Sequence, residues 1–81
     1  MKIEMSQVWL STPIDYLKIQ ECHRDIIIDS LLDIKDVSEV VHYSEILVLV
    51  DITSTTDTEA LQQINRVRND IKEAFKMFGY Q

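Results

Sequence analysis

Ile46-Leu47-Val48-Leu49-Val50-Asp51-Ile52-Thr53 decides the fold. The apolar run from Ile46 to Val50 is far shorter than the roughly 20 residues a membrane helix requires. Its β-branched content instead predicts a strand buried on both faces, in the middle of a sheet. Immediately upstream, Val37-Ser38-Glu39-Val40-Val41-His42-Tyr43 is a second strand-like run, and only Ser44-Glu45 separates the two. That spacing predicts an antiparallel hairpin. The connection lacks the Asn-Gly or Gly-X pair that two-residue hairpins favour, so a helical reading of 37–44 stays open at this point.

A central strand needs a neighbour on its other side, and the start of the chain offers one. Ile3 and Met5 alternate with Lys2 and Glu4, and the phase slips at Ser6-Gln7 before Val8-Trp9-Leu10. The pattern predicts a strand over 2–10 with a bulge or an end near Gln7. Thr12 as a cap, Pro13 at the first helical position and Asp15 at the positive terminus then predict a helix starting at Pro13.

Within that helix, Tyr16, Ile19, His23, Ile27, Leu31 and Ile34 follow one buried face, while Ile14, Leu17, Ile28 and Leu32 fall on a neighbouring one and Ile26 on the far edge. So broad an apolar surface means either a break near 20–23 or burial against a second copy. We read one continuous helix to about Asp33, with Ile26, Ile28 and Leu32 in the interface of a homo-oligomer, most simply a twofold dimer.

After the hairpin, Ser54-Thr55-Thr56-Asp57-Thr58-Glu59 is a polar loop ending in a capping box formed by Thr56 and Glu59. Leu61, Ile64, Val67, Ile71, Ala74, Phe75 and Phe78 then give the cleanest amphipathic helix in the chain, and Gly79 supplies its stop. The resulting order is βαββα. It predicts a single domain over 1–81 of the α+β class: a two-layer sandwich with a three-stranded, mainly antiparallel sheet and two helices on one face.

Charge carries the functional reading. With 14 acidic and 8 basic residues, the net charge of −6 disfavours direct nucleic-acid binding and contact with anionic membranes. Glu21, Asp25, Asp29 and Asp33 recur every fourth residue, about 6 Å apart along a helix, and so repel one another unless something offsets them. Arg68, Lys72 and Lys76 form a basic column at the same spacing in the last helix. Either the two columns pair inside the fold or project as charged faces, or the acidic column docks on a protein partner with a basic surface. In the docking case its spacing approaches that of phosphates along one nucleic-acid strand, which suits an inhibitor or decoy.

Chemistry of the chain's own is not indicated. There is no glycine-supported nucleophile and no phosphate-cradling loop, so we expect no enzyme, no catalytic residues and no cofactor. Cys22 and His23 adjoin Glu21 and Asp25, but neighbouring helical side chains point about 100° apart, and no metal site is expected. His42 reads as a cross-strand packing residue, and Trp9 and Tyr43 as packing aromatics. One cysteine and an N-terminus, Met1-Lys2-Ile3-Glu4, without the apolar core of a signal peptide predict a reducing, cytoplasmic setting.

Met1-Lys2-Ile3-Glu4 and the element order loosely resemble the DNA-damage-inducible DinI family, small acidic βαββα proteins whose acidic helix engages a recombinase filament. That family carries its acidity on the last helix, whereas residues 60–81 here hold four basic and two acidic side chains, so no functional residue is transferred. Ile34-Lys35-Asp36-Val37-Ser38-Glu39-Val40 followed by Ile46-Leu47-Val48-Leu49-Val50-Asp51 is similar to the middle of ferredoxin-like regulatory modules such as ACT domains and the cytoplasmic domains of cation diffusion facilitators. That resemblance implies an alternative function, a regulatory ligand-binding domain; a small enzyme is the third reading, because catalytic groups converge in space rather than in sequence. The resemblance also implies a closing strand after the second helix, absent here or supplied in trans.

Overall fold

The run Ile46–Ile52 forms β3, the central strand of a three-stranded antiparallel sheet with β1 (Ser6–Ser11) on one side and β2 (Val37–His42) on the other. The computed structural model describes residues 6–12 and 14–80. Val8 stands opposite Val50 in one ladder and Val40 opposite Val48 in the other. Between β1 and β2 lie a 3-10 turn at Tyr16–Lys18 and α1 (Glu21–Leu32); α2 (Asp57–Met77) follows β3. The βαββα order and the α+β sandwich are those expected, and 37–42 is strand rather than helix.

Alternation along β3 sets the layers. Ile46, Val48, Val50 and Ile52 are buried with Leu10, Ile27, Leu31, Val67, Ile71 and Phe75 in one core beneath the helices. Leu47 and Leu49 are only half-buried, because among the described residues no helix lies on the other face. The expectation of a strand buried on both faces is therefore corrected: the apolar run covers one dry face and one open face. The phase slip near Gln7 does not mark a bulge in the described part of the strand. β1 pairs regularly from Ser6 to Ser11, and the ladder irregularity lies in β2, between Val37 and Glu39. The expected residues 2–5 of the first strand lie outside the described residues.

The continuous helix from Pro13 is also corrected; Pro13 itself lies outside the described residues. Ile19 and Gln20 are extended, with ψ of 134° and 136°, and α1 begins only at Glu21. The break lets Ile19 enter the core, and tertiary partners replace the helical hydrogen bonds given up. Arg24 Nε donates to the Ile19 carbonyl at 3.1 Å, and the Gln20 N–H donates to the Tyr80 hydroxyl at 2.9 Å. Thr12 does not cap: its hydroxyl donates to the Ile14 carbonyl.

The second helix has the ends its sequence predicts. Thr56 Oγ1 accepts from the Glu59 N–H at 3.2 Å. At the other end Gly79, with φ +85°, allows the Gly79 and Tyr80 N–H groups to reach the Lys76 and Phe75 carbonyls. Gln63 ties this helix to β3: buried, it donates to the Asp51 carbonyl and accepts from the Thr53 N–H and the Ser54 hydroxyl.

Candidate functional site

The outer face of α1 collects the acidic column. Glu21, Asp25, Asp29 and Asp33 are all exposed, Asp33 as the residue that ends the helix. At 100° per residue, Ile26 and Leu32 stand three residues to either side of Asp29 and so flank the column on opposite sides. They are 51% and 44% exposed. Ile28 differs from them, because it packs partly buried against the core. The face is thus a ridge of carboxylates with an aliphatic side chain on each flank, and Cys22, also exposed, at its head.

Nothing in the described part of the fold neutralises this ridge. The ion pair among the described residues joins Arg66 to Asp36, and neither belongs to a column. Arg66 lies on the flank of α2 that meets the loop after α1. Arg68 and Lys72 lie on the opposite flank, where with Ile71 and Ser11 they line a cleft beside β1. The basic column therefore faces away from α1, and both columns project to solvent.

The two histidines have packing partners. His23 Nδ1 lies 3.0 Å from the Tyr80 hydroxyl, and its ring packs against Phe78 and Tyr80. The Gln20 N–H donates to the same hydroxyl, so Tyr80 joins His23 to the start of α1. His23 thus points inward while Cys22 points out. His42, expected to pack across strands, instead stacks on Tyr16 of the 3-10 turn at 4.9 Å, and Arg24 covers the same ring at 4.8 Å. Trp9 stands opposite Leu49 on the open sheet face, 48% exposed, and Tyr43 projects from the β2–β3 bend. Among the described residues no three potential ligands converge on a metal position, and no helix is long and apolar enough to cross a membrane.

No local pattern signals the cleft beside β1, since Ser11 and Arg68 are 57 positions apart and each is an ordinary surface residue. Comparison of the chain with protein-family models, with curated proteins and with solved structures finds no match.

Proposed function

We propose that this protein is a small interaction module that docks the outer face of α1 on a basic protein surface, as an inhibitor or decoy of a nucleic-acid-binding partner. The observation that carries the reading is the exposed column Glu21, Asp25, Asp29 and Asp33 without a counterion among the described residues. A like-charged column weakens its own helix by about 0.2–0.5 kcal/mol per adjacent pair, a cost that a basic partner would offset. Ile26 and Leu32 add apolar area on either side, so that charge steers the encounter and aliphatic contact prolongs it. No catalytic role is assigned.

A twofold dimer through Ile26 and Leu32 is a second reading, supported by their exposure. The charge pattern opposes it, because two copies of the same ridge would bring like carboxylates together; it is expected only where salt screens them.

The test uses Cys22, the single cysteine, to carry a photo-cross-linker at the head of the ridge. The docking reading expects one basic protein to be captured from native lysate. Capture should weaken with salt, be competed by short oligonucleotides, and be lost in the Asp25→Lys/Asp29→Lys double variant. Capture that ignores both salt and the reversal would overturn it.

A further inference from the structure

We infer that the open edge of β1, together with the cleft between β1 and α2, receives an extended acidic segment of another protein as a fourth strand. This surface is separate from the acidic ridge of α1, and the proposal does not depend on it.

The backbone supplies the first argument. The Thr12 N–H donates to the Ile46 carbonyl at 3.2 Å, so Thr12 lies in the hydrogen-bonded phase of the β1–β3 ladder, and Leu10 and Val8 share that phase. The intervening residues Gln7, Trp9 and Ser11 then direct their N–H and C=O groups away from β3. Among the described residues no strand pairs with that side.

The two edges of the sheet are unlike in another respect. β2 carries the ladder irregularity and exposed Glu39, and α1 lies against it, features that oppose further pairing. β1 is regular, and Ser6-Gln7-Val8-Trp9-Leu10-Ser11 contains neither charge nor proline. An edge of that kind is a template for strand addition.

Charge then selects the occupant. Side chains of an added strand alternate between the faces of the sheet. Those on the helix side meet a cleft of about 200 Å³ lined by Ser11, Arg68, Ile71 and Lys72. A glutamate there would bring its carboxylate to the two cations, Arg68 and Lys72. Side chains on the other face lie beside Trp9, where β-branched residues pack well. A second copy pairing through β1 is the poorer occupant, because the twofold would set Arg68 and Lys72 of each copy against those of the other.

Trp9 is the chain's single tryptophan and reports on this edge directly. The probe is a capped hexapeptide of alternating glutamate and valine, compared with its lysine-valine analogue. The glutamate peptide should give a saturable blue shift of Trp9 emission and slow amide exchange at Gln7, Trp9 and Ser11. The lysine analogue should bind at least about tenfold more weakly, and Arg68→Glu/Lys72→Glu should reverse that preference. The Asp25→Lys/Asp29→Lys variant should titrate like the parent, so this proposal and the ridge reading can fail independently. Three results would overturn the proposal: no change at these amides at millimolar peptide, equal binding of the two peptides, or amides protected without peptide in proportion to protein concentration, which would assign the edge to a second copy.

Discussion

Arg66 Nη2 lies 3.0 Å from Asp36 Oδ2, and this pair marks which flank of α2 looks toward α1, an orientation set by the buried face of Val67, Ile71, Ala74 and Phe75. With Arg66 turned to the loop after α1, Arg68 and Lys72 are carried to the β1 side, out of reach of Asp25 and Asp29. Reversing Asp25 and Asp29 to Lys should therefore leave stability unchanged or raise it by about 0.2–0.5 kcal/mol per relieved pair. Thermal melts of the reversal, of Arg68→Glu/Lys72→Glu and of the combination should show additive effects. Destabilisation by the first reversal that the second rescues would mean that the columns are paired after all.

Asp36 has φ of +74°, a left-handed conformation that costs an ordinary side chain roughly 1–2 kcal/mol and asparagine less. Its carbonyl accepts from the Asp51 N–H at 2.8 Å, which holds the loop to the central strand. The ion pair itself contributes little, about 0–1 kcal/mol, since Arg66 is largely exposed. Asp36→Ala should therefore cost more than Arg66→Ala in urea denaturation, while Asp36→Asn should resemble Arg66→Ala. Equal losses for Asp36→Ala and Arg66→Ala would refute the assignment of strain to this position.

What the sequence revealed followed from local periodicity. Ile46–Val50 marked the central strand, and Thr56, Glu59 and Gly79 marked the ends of α2, because turn, cap and alternation signals act within a few residues. The helix start expected at Pro13 failed where tertiary contacts prevailed. Burial of Ile19, together with partners for the freed backbone from Arg24 and Tyr80, outweighed the helical pattern of 14–20. The acidic column was legible as a column, but its lack of an internal partner was not, since that depends on how α2 is rotated about its axis.

Gln63 is a buried polar side chain whose amide bonds replace strand pairing at the end of β3. Gln63→Leu keeps much of the volume but leaves the Asp51 carbonyl and the Thr53 N–H without this partner. A loss of about 1–3 kcal/mol is expected. Faster amide exchange at Thr53 should accompany it. A variant as stable as the parent would show that water serves those groups equally well.

Tyr80 acts as a latch from the far end of the chain, its hydroxyl meeting both the Gln20 N–H and His23 Nδ1. Tyr80→Phe keeps the ring beside His23 but leaves the Gln20 N–H, at the broken start of α1, without its partner. The expected cost is about 0.5–1.5 kcal/mol, read by urea denaturation, with faster exchange of the Gln20 amide. His23→Ala removes the second arm of the same network, so the double variant should lose less than the sum of the singles. Because Ile19–Gln20 is where the expected helix gives way, loosening this latch should raise exchange through the first turn of α1 while leaving β3 unchanged. Strictly additive losses, or an unchanged Gln20 amide, would show that α1 starts at Glu21 for reasons other than this contact.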